Sequence, residues 1–433
     1  MMRSMFSAVS GLKAEQAAMD VIGNNVANVN TVGFKASRVT FKDVMSQLIK
    51  GASMPQDNRG GTNPQQVGLG VAIGSIDTLF SQGSSQRTDN PLDVMIDGNG
   101  FFTVGDLTGS KSYTRAGNFG VDSNGNLVTA GGLYVYGWQA DSTGKVDTSG
   151  NLVPLNLYNK ISKEAKATQN ITIGGNLNAN LAVNDSMTYN EMIYDSQGRT
   201  HIINLKFTKT GNNTWNLEVT SYDPALGATL NQNGTITPVQ ILQPTQISFD
   251  ANGNLINPNP NQNNGRYIIN LSVSDSDGAA SPQNINLDIT PLTQFAGVGN
   301  EKDTIKEVSK DGNPAGTMEG FKIDQYGNII VTYSNGQNFI IGQLAIASIS
   351  NPMGLEKVGD NLYKLTPNSG EAEYGAAGTG GRGVLNPGSL EMSNVDLAQE
   401  FTNMIITQRG YQANSRVITA SDTMLQDLIN IVR

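Results

Sequence analysis

Apolar side chains step by three and four residues at both ends of the chain and alternate by two in the middle. At the N-terminus Met2, Met5, Val9, Leu12, Gln16, Met19, Gly23 and Val26 keep heptad spacing, apolar except at Gln16 and Gly23. At the C-terminus the same stepping runs through Leu397, Phe401, Met404, Gln408, Tyr411, Ser415, Ile418, Asp422, Leu425, Ile429 and Val432. Both segments are predicted as long helices. At 1.5 Å per residue the second, 394–432, would reach roughly 58 Å. Ser393 or Asn394 can cap it, and Asp396 and Glu400 suit its first turns.

The C-terminal stripe is too wide for one partner. Every seventh position from 397 to 432 is apolar, whereas Gln408, Ser415 and Asp422 break the alternate set. A second row, Val417, Met424, Leu428 and Ile431, widens it over the last turns. Ordinary two-helix packing with some surface Met and Ile is one reading. Contacts to other subunits are the favoured one, because the small-residue N-terminal helix cannot cover everything.

The first helix ends in a polar run, "GNNVANVNTVGFKASR" (23–38). Asn24 and Asn28 are four apart and share a face, with Asn25 beside them. Their amides can bond nearby backbone and help end the helix, and Gly33 can take a left-handed cap.

The middle reads as β structure. "PLDVMIDGNGFFTV" (91–104) flanks a turn signal, and "DSNGNLV" (122–128), "DANGNLI" (250–256) and "DQYGNII" (324–330) repeat one pattern. Each predicts a turn leading into a strand. A calcium loop of the EF-hand kind would need more ligands and a closing Glu. "FIIGQLAIASI" (339–349) is too short to span a membrane and reads as one or two buried strands. Residues 40–70 and 368–389 turn Gly-, Pro- and Asn-rich and are expected as a connector and a return linker. GTGGRG (378–383) lacks the strand-to-helix context of a dinucleotide site.

The stretch from about 168 to 312 is rich in Asn and Thr and holds strand candidates, so it is expected as an inserted β domain. The expected class is α+β and multidomain, with paired, coiled-coil-like terminal helices and nested, mainly β domains. The expected boundaries are 1–70 with 386–433, 71–165 with 313–385, and 166–312.

Composition narrows the chemistry. A net charge of −9 argues against a nucleic-acid surface or an anionic membrane face. With no Cys and one His, disulfides, thiol nucleophiles and Cys/His zinc sites are excluded. His201 could serve a hydrolytic triad, but in "QGRTHIINLKF" it reads as a strand-start residue. No catalytic, cofactor or metal site is expected. The first twenty residues carry apolar side chains at helical spacing, not in a block, so no cleaved signal peptide and no membrane insertion are expected.

At this point the chain resembles the bacterial flagellar axial proteins of the rod and hook. The residues that carry the resemblance are "SAVSGLKAEQAAMDVIGNNVANVNTVGFKASRVTF" and "GVLNPGSLEMSNVDLAQEFTNMIITQRGYQANSRVITASDTMLQDLINIVR". The second is more similar to hook than to rod, chiefly through "TQRGYQANSRVITASDTML". "LDVMIDGNGFFTV", "YTRAGNFGVDSNGNLV" and "QLAIASISNPMGLEKVGDNLYKLT" add to the match, which covers roughly half the chain.

The resemblance implies a structural subunit, not an enzyme, that polymerises into a curved helical tube outside the cell. It implies export through the flagellar type III apparatus without cleavage and addition beneath a hook cap. The tube would join the rod to the hook–filament junction proteins and transmit torque as a universal joint. Met5, Val9, Leu12, Met19, Val26, Phe401, Met404, Tyr411, Ile418, Leu425 and Ile429 are then expected at the assembly interface. Asn24, Asn25, Asn28, Asn30, Gly33 and Phe34 are expected at a hinge beside it. Two alternatives stand beside this reading. One is a distal rod protein, for which a large inserted domain is unusual. The other is a secreted β-rich adhesin or carbohydrate-acting enzyme, whose carboxylates Asp195, Asp250 and Asp324 would need a cleft.

Overall fold

The computed structural model describes residues 2–55, 60–230, 236–258, 263–274, 276, 278–297 and 304–431. Val432 lies outside them, as do the side chains of Met2, Leu428 and Ile431. The chain forms two compact units. One comprises 1–159, 321–331 and 339–433, the other 160–320 and 332–338.

Both ends of the first unit are helical, as their periodicity predicts. Helix α1 spans Met2–Ala27 and α2 spans Leu397–Ile431. Asp396 caps α2: its Oδ1 accepts from the Ala398 and Gln399 amides at 2.9 and 3.2 Å. Ser393 and Asn394 were the expected caps. Ser393 Oγ instead accepts from the Val395 amide, and Asn394 is engaged elsewhere, as described below.

Residues 40–70 are built as a hairpin. Strand β1, Ser37–Asp43, pairs antiparallel with β4, Val71–Thr78. Beyond them β2, Ser46–Lys50, pairs with β3, Gln65–Gly68, and Ser53 bridges Thr62. Among the described residues Gly51, Pro55, Gly60, Gly61, Asn63 and Pro64 fall between β2 and β3. The apolar residues Met45, Leu48, Ile49 and Met54 remain 55–86% exposed.

The β body of this unit centres on Phe101–Gly105. That strand pairs with Lys111–Thr114 on one side and with Tyr134–Gln139 and Ile346–Ile349 on the other. Phe101, Tyr113, Ala347, Ile349 and Tyr363 form a core beneath Phe80, whose ring lies 5.5 Å from Phe101 and 5.4 Å from Tyr363. The 339–349 run supplies two buried strands, Asn338–Leu344 and Ile346–Ile349. The return segment is ordered too. Val384–Pro387 pairs with β6, Val94–Asp97, and Ser389–Glu391 pairs with β5, Ser85–Arg87.

The repeated Asp motif is one turn used three times. Asp122, Asp250 and Asp324 each accept through Oδ1 from the amides two and four residues on. Asn126, Asn254 and Asn328 return a side-chain bond to Oδ2, and the Gly between takes φ of +82° or +83°. Each carboxylate is thereby occupied by its own turn.

The second unit is a β sandwich. One sheet runs Ile268–Val273, Gln283–Asp288, Asn170–Asn178 and Leu292–Phe295, with Lys306–Lys310 also on Asn170–Asn178. Asn170–Asn178 pairs in parallel with two strands from late in the domain. The other sheet is antiparallel, in the order Ser186–Tyr194, Thr200–Lys209, Thr214–Ser221, Val239–Phe249, Leu255–Ile256. Alternation sends Ile203, Leu205, Phe207, Trp215, Leu217 and Val219 into one core with Ile171, Ile173, Leu271, Ile285 and Leu287. His201 opens its strand, buried, with Nδ1 2.7 Å from Asp223 Oδ2.

Leu217→Ala removes a fully buried side chain and is expected to destabilise the sandwich by about 2–5 kcal/mol. Urea unfolding followed through Trp215 fluorescence, in a Trp138→Phe background, would measure it.

Candidate assembly site at the paired chain ends

The two terminal helices pack antiparallel: Asn25 meets Glu400, Glu15 meets Gly410, and Gly11 meets Asn414. Apart from Ile22, their seam is made of small and polar residues. Ala8, Gly11, Ala14, Ala18, Ile22 and Asn25 are buried on α1, with Thr407 and Ser421 on α2. Two glycines make room for side chains of the facing helix. A Cβ at Gly11 would stand 2.7 Å from Asn414 Nδ2, and one at Gly410 would stand 2.6 Å from Glu15 Oε1.

Apart from Ile22, the larger apolar residues of the two helices are exposed or only half-buried. Phe401, Tyr411 and Ile429 are 50%, 45% and 64% exposed, and Val9 is exposed as well. Met5, Leu12, Met19, Val26, Met404, Ile418 and Leu425 are half-buried. The heptad stripe visible in the sequence is thus only partly covered within one chain. Phe6, Ile405, Ile406 and Met424 are exposed beside it. Sequence reasoning missed the seam itself, because alanine, glycine and threonine at heptad spacing carry almost no hydropathy signal.

Two carboxyls sit in the seam. Burial raises Glu15 above its usual 4.5, and burial raises Glu400 against the opposing bond from Asn25. Glu400 Oε2 is buried and finds no hydrogen-bond partner among the described residues.

The Asn-rich run crosses from the helix pair to the β body. Asn25 is buried and fully bonded. Its Nδ2 donates to Ser37 O at 2.7 Å and to Glu400 Oε1 at 3.2 Å, while its Oδ1 accepts from the Ser37 amide at 3.0 Å. Asn28 Nδ2 donates to Asn24 O at 2.9 Å and closes the helix end. Asn24 and Asn30 are exposed.

Gly33 is buried with φ +69°, donates to Glu391 O at 2.7 Å, and leaves no room for a Cβ, which would meet Ala116 N at 2.6 Å. Phe34 is buried beneath the Lys357 ammonium, 4.9 Å from its ring centre.

Next to them lies a buried ionic cluster absent from the sequence expectations. Lys35 Nζ donates to Glu391 Oε1 at 2.6 Å and to Ser81 O at 2.7 Å. Glu391 Oε1 also accepts from the Gly83 amide at 3.0 Å, and Oε2 lies 3.5 Å from Arg115 Nη1. Lys35 and Glu391 are 0% exposed and Arg115 3%. Burial pushes the Lys35 ammonium below its usual value while Glu391 pulls it back, and burial lowers Arg115 as well. Removing one partner of such a pair costs about 3–5 kcal/mol, because the other charge is stranded. Asn394 ties the same crossing: its Oδ1 accepts from the Ala36 amide at 2.8 Å, and its Nδ2 donates to Leu79 O at 2.8 Å.

Four family models match. They are "Flagella basal body rod protein" at residues 5–35, "Flagellar hook protein FlgE/F/G D1 domain" at 95–185, "Flagellar basal body protein FlaE D2 domain" at 176–313, and "Flagellar basal body rod FlgEFG protein C-terminal" at 386–431. Flagellar hook protein FlgE of Borreliella burgdorferi is 39% identical over the whole of both chains. The chain belongs to the flagellar hook protein family. FlgE of Salmonella typhimurium is 33% identical over 99% of this chain and 100% of its own. As a hook family member the chain is a structural subunit that self-polymerises within the flagellum.

A crystal structure of Helicobacter pylori hook protein FlgE2 shares the fold at TM-score 0.50 and 15% identity. It covers 71% of this chain and 100% of that one. The basal-body rod protein FlgG of Bacillus subtilis also aligns, 31% identical over 100% of both chains. The alignment includes the inserted domain, so possession of that domain does not by itself separate hook from rod.

Two outcomes test the geometry of the site. A carboxyl whose folded value is raised keeps its proton where the unfolded chain has lost it. Glu15 and Glu400 therefore contribute stability that is complete below about 4.5 and fades as pH rises through their raised values. Melting of the helix pair, followed by circular dichroism at 222 nm, should rise from pH 7 to pH 5, and Glu400→Gln should flatten that rise. Separately, Gly33→Ala forces a β-carbon into a left-handed, occupied position and should destabilise the first unit by more than about 1 kcal/mol in chemical denaturation.

Proposed function

We propose that the chain polymerises through two apolar surfaces that its own fold leaves open, giving a curved tube that works as a universal joint between rod and filament. The observation that carries this reading is the division of labour on the terminal helices. Small and polar residues with Ile22 line the seam within one chain, while Val9, Phe401, Tyr411 and Ile429 stay exposed and Met5, Leu12, Met19, Val26, Met404, Ile418 and Leu425 are only half-buried, which leaves apolar surface for neighbouring copies. Each such side chain, once buried, contributes roughly 1.5–3 kcal/mol, so several per subunit give lasting cohesion.

The second surface is the β2–β3 hairpin. A two-stranded hairpin standing alone is marginal in water, and this one exposes Leu48, Ile49 and Met54. Packing against other copies supplies the burial it lacks. Asn24, Asn28 and Asn30 lie at the polar margin of the helix pair, where amides can bond adjacent chains without locking them. The polar sandwich suits sliding during bending.

In this reading the protein is not an enzyme. It leaves the cell through the type III apparatus without cleavage, adds beneath the hook cap, and meets the rod and the hook–filament junction proteins at its ends. The full-length FlgG relative supports a second reading, a distal rod subunit. Tube shape separates the two: curved tubes mark a hook, straight ones a rod.

Phe401→Asp and Ile429→Asp change exposed residues and are expected to leave the subunit folded while abolishing polymers in electron micrographs. Tubes of normal length from both variants would overturn the interface. Leu48→Asp with Ile49→Asp should shorten or prevent tubes by the second surface alone.

A further inference from the structure

The turn "DGNG" (97–100) leads from β6 into the central strand Phe101–Gly105 of the β body. Its glycines carry φ of +113° at Gly98 and +128° at Gly100, and Asn99 between them is exposed. In an Asn-Gly pair the backbone nitrogen of the glycine can attack the side-chain amide before it, because no β-carbon stands in the way.

Asn-Gly recurs at 124–125, 252–253 and 335–336, and the pairs at 233–234 and 264–265 include residues or side chains outside the described ones. At the first three the attacking nitrogen is already committed. Gly125 donates to Asp122 O at 3.0 Å, Gly253 to Asp250 O at 3.1 Å and Gly336 to Tyr333 O at 2.9 Å. The Gly100 amide has no backbone acceptor among the described residues, so its attack forfeits no such bond.

The surroundings of Asn99 also favour the anion that attacks. Deprotonating the Gly100 nitrogen spreads negative charge onto Asn99 O, which accepts from the Gly383 amide at 2.7 Å. The buried Arg115 guanidinium donates to Gly98 O at 2.7 Å, one peptide away, and a cation so placed stabilises an anion. Asp97 directs Oδ1 to Gln82 Nε2 at 2.9 Å. Asp122 and Asp250 instead keep Oδ1 on the amides of Asn124 and Asn252, where their charge opposes the same step.

We propose that Asn99 is a self-modification site. The Gly100 nitrogen gives its proton to hydroxide and bonds to Asn99 Cγ. The side-chain nitrogen takes up a proton and leaves as ammonia, closing a succinimide ring. Water opens the ring at either carbonyl, giving aspartate or isoaspartate. The net exchange is water in and ammonia out. Either product adds a carboxylate to the turn that Arg115 holds, and the isoaspartyl form adds a backbone carbon where Gly383 is bonded.

The experiment is a time course on the full-length chain in mildly alkaline buffer. Samples are digested at acid pH, which halts ring closure, and electron-transfer fragmentation tells isoaspartate from aspartate. Asn99 should convert at least roughly fivefold faster than Asn124, Asn252 and Asn335, the factor expected where one hydrogen bond must first break. In urea the four pairs should convert at similar rates, because the dipeptide is the same and the fold is gone. Asn99→Gln should remove the early product and leave the other three unchanged. Conversion at Asn99 no faster than at Asn252 in the folded chain overturns the proposal. So does a lead that survives in urea, or an early product that persists in Asn99→Gln.

Discussion

Everything at the working end of this subunit depends on two helices, almost four hundred residues apart in sequence, closing on each other through side chains too small to hold them strongly. The seam of Ala8, Gly11, Ala14 and Ala18 lets α1 approach α2 closely, but it buries little apolar area per residue. Apart from Ile22, large apolar side chains on the same helices are exposed or only half-buried. A helix pair built this way leaves apolar surface uncovered within one chain.

The polar ties at the base of the pair complement that weakness. Asn25 satisfies all its bonding groups within the chain, and Glu391 gathers an ammonium, a guanidinium and a backbone amide around one buried carboxylate. Buried ion pairs are poor sources of net stability but penalise misalignment heavily. The proposed division is therefore between orientation, set by polar groups inside one chain, and cohesion, supplied by apolar groups between chains. A torque-bearing polymer needs both, and separating them lets the contacts between copies adjust while each subunit keeps its shape.

Much of this was legible from the residues. The 3.6-residue periodicity located both helices, and the Asp-x-x-Gly-Asn pattern located three turns whose bonding proved identical. The stripe of Phe401, Met404, Tyr411, Ile418 and Leu425 was visible because large apolar side chains dominate any hydropathy reading. The same bias hid the seam inside the chain. The 40–70 hairpin was read as a connector because its apolar residues stay exposed and so follow no burial pattern. Lys35, Arg115 and Glu391 were invisible for another reason: a pair separated by 356 residues leaves no local signal. The parallel pairing of Asn170–Asn178 with strands more than a hundred residues later was hidden in the same way.

A helical reconstruction of the assembled tube by electron cryo-microscopy, at a resolution that shows side chains, tests the central claim most directly. The account predicts Ala8, Gly11 and Ala18 facing α2 of their own chain, with Phe401, Tyr411 and Ile429 packed against other copies. Tubes in which those three side chains face open solvent, or in which α1 pairs through its small-residue seam with another copy's α2, would contradict it.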